Sequence, residues 1–298
     1  MKFEKPESFF QEKSREETPI EKIQREKERQ IEKLENFLKK ISDEYKELGI
    51  PVRSDCRIEM NNFEKIYPKE IIERDKENVR QLQEKWRKEA PVEKKDKERV
   101  GELLEMLAVG IFYKFLKDRF IILRSSSFDD VYNKVDTLII DKETGNVVCA
   151  FDEVADVLRT RYHEKRENVM RINKKGGARL KYGLELKEVK KGNQELEVKF
   201  SSLKNLPIFY IALPEGVVFN GIKNFNSHLE NLSNEEKIIF LYFIDRIKNQ
   251  IKELKERKLN RKLWERINTF EESLNKIEKE KAFLFSLPRE VAKKRRKK

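Results

Sequence analysis

Apolar residues are distributed unevenly along this chain, and that unevenness limits the folds available to it. The stretch from residue 96 to residue 213 contains a broad apolar helical pattern followed by several short apolar runs. On either side, Lys, Glu and Arg dominate, and apolar residues recur only at helical spacing. We therefore expect one compact core, preceded and followed by long, solvated helices.

The overall composition agrees with that division. Charged residues make up 41% of the 298 residues and hydrophobic residues 38%, enough for one sizeable core but not for a uniformly buried chain. The net charge is +12, and residues 293–298 read KKRRKK without an acid. Such a balance favours nucleic acid as a partner, whereas a surface kept soluble by mixed charge is the alternative interpretation.

Cysteine usage and hydropathy exclude several classes of protein. The sequence has two cysteines, Cys56 and Cys149, which are too few and too far apart for a disulfide framework or a cysteine zinc site. The first ten residues are too acidic for a secretion signal, and no run approaches the ~18 apolar residues needed to cross a bilayer. We expect a cytoplasmic protein with no membrane partner.

Periodic apolar residues predict helices on both sides of the core. Steps of three and four separate them in residues 20–48, 68–89, 234–259 and 262–281. The simplest interpretation is a pair of coiled-coil or hairpin-like arms. The predicted domains are a charged helical arm over 1–95, an α/β core over 96–232, and a helical arm with a basic tail over 233–298.

The core itself predicts an α/β (α+β) fold with a small mixed sheet. Its order is helix, three strands, helix and strand, with a second hairpin before the last strand. The final apolar run, residues 207–213, is predicted to be a buried central strand. The predicted spans are helix 96–120, strands 120–123, 135–140 and 147–151, helix 154–173, hairpin strands 180–189 and 195–200, and strand 207–213.

Acidic residues lie at the start of one of these strands and at the end of the next. Asp136 enters the second strand, whereas Asp152 and Glu153 close the third. A hairpin makes these strands antiparallel neighbours, so the start of one lies beside the end of the other. The sequence therefore predicts a carboxylate cluster that suits a hard divalent ion such as Mg²⁺ (or Mn²⁺).

This order of elements, with acids on strands two and three, resembles the PD-(D/E)XK nuclease superfamily and its restriction-endonuclease-like core. The resemblance covers about 115 residues and implies a first metal-binding acid at Asp136 and a second at Asp152 or Glu153. It also implies a Glu on the first core helix, for which Glu105 is the candidate and Glu102 the alternate. Such enzymes hydrolyse phosphodiester bonds in DNA or RNA, and many form pairs, which leaves a homodimer open.

One position departs from that family. The Lys that follows the second acid by two residues is replaced by Val154 or Ala155. Lys165 and Arg161 share a face with apolar residues of the following predicted helix, and a cation there needs a partner. Lys165 is therefore the candidate for a displaced catalytic Lys and Arg161 for a phosphate contact, unless both extend to solvent.

Other polar residues complete the predicted site. Asp130 precedes Asp136 by six residues and either joins the metal cluster or forms part of a turn. Candidates for binding the nucleic-acid backbone combine cations with flexible or basic segments. They are Arg124, Arg161, Lys174, Lys175, Arg179, Lys294, Arg295 and Arg296.

Three functions are compatible with these patterns. The first is a metal-dependent nuclease that acts on nucleic acid, DNA in preference to RNA. The second is a nuclease-fold binding or scaffold protein that has lost its chemistry, because Val154 occupies the usual Lys position. The third is a helical partner-binding protein in which the arms carry the function.

Overall fold

A computed structural model describes residues 18–89, 92–155, 159–191, 193–229 and 231–282 of the chain. It confirms the mixed α/β fold class with a small sheet. Seven helices and six strands lie in the described ranges. The helices are α1 (Pro19–Glu47), α2 (Lys69–Glu89), α3 (Val92–Leu116), α4 (Arg159–Lys174), α5 (Glu215–Lys223), α6 (Asn234–Lys255) and α7 (Arg261–Glu280).

The long helices begin where the sequence supplies caps. Thr18 and Glu21 form a reciprocal capping box at the start of α1, and Pro19 occupies its first turn. Ser233 and Glu236 form the same arrangement at α6. The four predicted flanking helices are confirmed to within a few residues. Helix α5 was not predicted, because its nine residues give too short a periodic pattern.

The main sheet has the order β1-β2-β3-β6. Strand β1 (Phe120–Arg124) pairs antiparallel with β2 (Thr137–Asp141), and β2 pairs antiparallel with β3 (Val147–Val154). Strand β6 (Ile208–Ala212) pairs parallel with β3. The predicted central position of β6 is wrong, since it lies at one end of this sheet. Its two faces are nevertheless buried, because helices cover it, which is why its apolar run resembled that of a central strand.

A second, two-stranded sheet is inserted between α4 and β6. It pairs β4 (Ala178–Lys191) with β5 (Asn193–Leu206) and confirms the second predicted hairpin. The turn between β2 and β3 holds this insertion through Gly145, whose φ is +69° and whose carbonyl accepts from the Leu186 amide. A Cβ at residue 145 would collide with the Leu186 carbonyl oxygen, so only glycine fits there.

The flanking helices pack directly against the core. One cluster of buried apolar residues includes members of α1, α3, the main sheet, α6 and α7. Phe115 of α3 stacks on Phe240 of α6 with ring centroids 4.2 Å apart, and Phe37 of α1 meets Phe225 edge-on. Helix α3 also begins before the predicted boundary at residue 95. The helices of both predicted arms thus help to build the hydrophobic interior.

The helix after β3 begins later than the sequence predicted. Val154 ends β3, and α4 begins at Arg159. Val154 therefore does not lie on the helical face predicted for it, since the pairing of β3 with β6 continues through Val154. Lys165 and Val169 do lie on α4, and Val169 is buried as that face predicted.

None of the helices that the structure describes has the length and apolar content needed to cross a lipid bilayer.

Candidate functional site

The hairpin of β2 and β3 brings the predicted acids to one end of the sheet. The register pairs Thr137 with Phe151, so Asp136 lies beside the last residues of β3. The Asp136 amide donates to the Phe151 carbonyl at 2.8 Å, and the Glu153 amide donates to Asp136 Oδ2 at 2.7 Å. Two backbone contacts therefore fix Asp136, whose side chain is buried.

Three acids from three different elements meet at this point. Glu105 comes from α3, Asp130 from a π-helical turn over Asp129–Asn133, and Asp136 from the entry to β2. One ligand oxygen from each lies within 4.8 Å of the other two. Among the described residues, this is the one such group of three or more His, Cys, Asp or Glu. We call it the acid triad.

The neighbouring Asp129 has a structural role that separates it from Asp130. It is fully buried and accepts from the backbone amides of Lys181 and Tyr182, at 2.7 and 3.0 Å. It also accepts from the Asn133 side chain. These bonds tie the π-helical turn to β4, and the turn in turn carries Asp130 to the site.

Asp152 lies beside the triad but contacts a cation. Its Oδ1 accepts from Lys165 Nζ, which also donates to the Glu153 carbonyl at 3.2 Å. Burial would lower the pKa of Lys165, but Asp152 and Asp136 more than offset it and raise that pKa, so Lys165 is charged. The second oxygen of Asp152 is buried and has no hydrogen-bond partner in the described part of the chain.

Glu153 is the most unusual acid of the group. Glu153 is 6% exposed, and neither carboxylate oxygen has a partner in good hydrogen-bond geometry among the described residues, although the buried Thr137 hydroxyl lies close enough to lower its pKa. Burial, followed by the charge of Glu105, raises its pKa to about 8. Burial likewise raises the pKa of Asp136 well above its ordinary value, with Asp152 and Glu105 contributing and Lys165 opposing. A buried carboxylate without partners is costly unless a proton or a cation compensates it.

Two arginines stand on the other side of the triad. Arg124, at the end of β1, is 1% exposed and donates to Glu105 Oε2 at 2.6 Å and to Asp55 at 2.9 Å. Arg57 donates to Asp130 Oδ2 at 2.8 Å and to Glu105 Oε2 at 3.4 Å. The predicted contact of Arg124 with nucleic acid does not suit this position, because its side chain lies inside the protein and is held by acids.

Arg57 was not among the predicted site residues. It lies in a short irregular segment between α1 and α2, 48 residues before Glu105. Periodicity identifies the buried faces of regular elements, and this segment has none. The residues that the sequence did identify here are Glu105, Asp130, Asp136, Asp152, Glu153 and Lys165.

The site contains more carboxyl groups than cations. Six carboxyl groups whose side chains are largely buried are joined by contacts or direct electrostatic influence, against three cations, and burial favours the protonated form of Glu153 and Asp136. The acids are Asp55, Glu105, Asp130, Asp136, Asp152 and Glu153, and the cations are Arg57, Arg124 and Lys165. An oxygen-rich, partly uncompensated cluster of this kind has the ligand chemistry of Mg²⁺ or Mn²⁺.

Three of the predicted backbone-binding cations are exposed, and no ion pair or hydrogen bond within the described ranges joins them to the acids. Lys174, Lys175 and Arg179 are exposed around the end of α4. Lys174 also borders a groove of about 400 Å³ between α4 and α6. Its charged lining contains four permanent cations, Arg166, Arg171, Lys174 and Arg257, and two acids, Glu167 and Glu253.

Several predicted residues lie outside what the structure describes. They are the side chain of Arg161 and the basic residues Lys294, Arg295 and Arg296.

Comparisons with protein-family models, curated proteins and solved structures found no match for this chain.

Proposed function

We propose that this chain is a metal-dependent nuclease that hydrolyses phosphodiester bonds in DNA. One observation carries the proposal. Buried, unpartnered oxygens of Asp152 and Glu153 lie beside an acid triad whose ligand atoms come within 4.8 Å of one another. An acid cluster alone is common on proteins, but buried carboxylate oxygens without good partners need a proton or a cation to compensate them, and a divalent ion can fill that role for several acids at once.

The residues present fit Mg²⁺ or Mn²⁺. All candidate ligands are carboxylates, the donor class that these hard ions prefer. The triad draws on three separate elements that the core holds in place, so its oxygens are assembled in advance. Glu105, Asp130 and Asp136 would hold the ion, with Asp152 or Glu153 able to add an oxygen from β3.

The chemistry of hydrolysis then divides among these residues. A bound divalent ion supplies a Lewis acid that lowers the pKa of water and offsets charge on the phosphate. The free oxygen of Asp152 can accept the proton that water loses as its oxygen bonds to phosphorus. Glu153, on the same strand, is the candidate donor of the proton that the departing oxygen takes up when the old phosphorus–oxygen bond breaks. Lys165 balances the charge of Asp152 and orients its carboxylate.

Charge outside the site supports a polyanionic substrate. Lys174, Lys175 and Arg179 are exposed, and the groove between α4 and α6 has a surplus of cations over acids. The same helix, α4, carries Lys165 into the acid site. A nucleic-acid backbone following α4 would therefore meet exposed cations on its way to the acids.

A second function, binding without chemistry, has one observation in its favour. Arg57 and Arg124 already neutralise part of the triad, and Val154 ends β3 where the resembling family has Lys. A scaffold that had lost its metal would need such internal cations.

Plasmid cleavage separates the two functions. The wild type should convert supercoiled plasmid in 5–10 mM Mg²⁺, roughly the concentration at which weak Mg²⁺ sites fill, and should not do so in EDTA. Asp136→Ala should abolish cleavage, whereas Asp43→Ala, a change at an exposed acid of α1, should leave it intact. Plasmid binding without cleavage in any divalent ion would support the scaffold.

The cellular compartment is part of the proposal. Cys56 and Cys149 are both buried free thiols, which suits the reducing cytoplasm.

A further inference from the structure

Arg57 reaches the acid triad from a segment that the resemblance did not include. Ile50 and Val52 before it and Ile58 after it are buried, so the segment is fixed against the core. The Ile58 amide donates to the Arg124 carbonyl, and the Arg124 amide donates to the Cys56 carbonyl, both at 3.0 Å. These bonds attach the segment to the end of β1.

The side chain of Arg57 is almost enclosed by acceptors. It is 10% exposed and contacts Asp130 at 2.8 Å, Glu105 at 3.4 Å and Asp55 at 3.7 Å. One nitrogen also donates to the Ser125 carbonyl at 3.4 Å. Two of the three triad acids therefore already hold a cation.

This inference rests on the function proposed above. We propose that the positive charge of Arg57 competes with the divalent ion for Asp130 and Glu105 and thereby sets the affinity of the site for metal. An ion bound to Asp130 lies about 2.1 Å from a carboxylate oxygen, so it would share that carboxylate with the guanidinium. Two cations on one carboxylate repel each other, and the 26% exposure of the Asp130 side chain leaves this repulsion only partly screened by water. The same contact stabilises Asp130 and Glu105 when no ion is present.

Arg124 has a different role. It contacts Glu105 and Asp55 but has no bond to Asp130, and it is more deeply buried than Arg57. Arg124 thus supports the acids from the sheet, whereas Arg57 alone bridges Asp130 and Glu105.

Isothermal titration calorimetry with Mn²⁺ tests the proposal without any measurement of activity. Arg57→Gln should bind Mn²⁺ at least about tenfold more tightly than the wild type, because a nearby positive charge is gone. Arg57→Lys keeps the charge and should stay within about threefold of the wild type. Lys65→Gln, at an exposed position of the same stretch between α1 and α2, is the matched control and should leave the affinity unchanged.

The outcomes separate this proposal from the function on which it rests. If Asp136→Asn abolishes Mn²⁺ binding while Arg57→Gln binds no more tightly than the wild type, the role of Arg57 is wrong and the metal site stands. If the wild type and Asp136→Asn take up Mn²⁺ equally, the metal site is wrong and the role of Arg57 falls with it.

A second measurement uses the wild type and covers the case in which Arg57→Gln does not fold. The Nε–Hε signal of Arg57 in a nitrogen–proton spectrum can be assigned by its loss in Arg57→Lys. Saturating Mg²⁺ should shift that signal as the guanidinium gives up Asp130. An unchanged signal at saturation would overturn the proposal.

Discussion

Two groups of buried charge in this molecule have opposite character. Lys114 of α3 and Glu236 of α6 form an ion pair with both side chains fully buried, and Lys114 also donates to the Asn226 carbonyl. Glu236 accepts from the amides of Ser233 and Asn226, and the Phe225 ring lies 4.1 Å from the ammonium. Every charge in this pair is matched and hydrogen-bonded.

The acid site is built in the reverse way. Its carboxylates outnumber its cations, and three of its buried oxygens have no partner within the described residues. The two groups show that buried charge has two different interpretations. A matched pair needs no ligand and fixes the packing of two helices, whereas a surplus of acids needs a proton or a cation that the protein does not supply.

The largest effect should come from breaking the matched pair. Lys114→Met leaves Glu236 buried without its cation and should lower the free energy of unfolding by about 3–5 kcal/mol. Urea denaturation measures this loss. Lys252→Met, at an exposed position of α6, should change stability by less than about 0.5 kcal/mol. A comparable loss of unfolding free energy in both variants would contradict this view, because the buried pair would then be no more important than a surface charge.

An intermediate effect should appear at the acid site as a dependence on pH. The pKa of Glu153 is 4.5 in its ordinary state and about 8 here, so the folded protein keeps a proton that the unfolded chain releases. Stability of the metal-free protein should therefore fall as pH rises from about 4.5 to about 8.

Glu153→Gln cannot ionise and should reduce that slope in denaturation series at several pH values, with the remaining slope due to Asp136, whose pKa burial also raises. Glu164→Gln, an exposed neighbour on α4, should retain the slope of the wild type. A flat profile for the wild type would mean that Glu153 is not held protonated and that the two regions differ less than their contacts indicate.

The smallest effect on stability concerns the exposed cations at the end of α4 and the start of β4. Lys174→Glu with Arg179→Glu should leave stability nearly unchanged but weaken binding to duplex DNA in EDTA. The plot of log affinity against log salt should lose about 1.8 units of slope, or about 0.9 for each phosphate contact. Fluorescence anisotropy measures this slope. The control reverses the charges of the exposed Lys39 and Lys40 on α1 by substitution with Glu. An equal loss of slope in the control would contradict a specific path of the DNA along α4.

Much of the fold was predictable because it depends on local patterns. Helical spacing identified α1, α2, α6 and α7, and the Gly-containing turn identified the hairpin of β2 and β3. The hairpin in turn indicated that Asp136 lies beside Asp152 and Glu153. Helical spacing on α4 also singled out Lys165, which contacts Asp152.

The remaining features depend on contacts between distant segments. Nothing near Arg57 in sequence indicates that it meets Glu105 and Asp130, because an irregular segment carries it there. The place of β6 at the end of the sheet was hidden by the helices that cover it. Arg124 was predicted to contact nucleic acid, yet its side chain is buried. The sequence shows only that a cation lies at the end of a strand, and this does not indicate whether the side chain is exposed.

A crystal structure with Mn²⁺ tests the metal site most directly, because manganese can be located by its anomalous scattering. We expect one strong peak within about 2.2 Å of carboxylate oxygens from Glu105, Asp130 and Asp136, with Arg57 moved away from Asp130. A map without a peak at saturating Mn²⁺, or with a peak that Asp136 does not contact, would contradict this expectation.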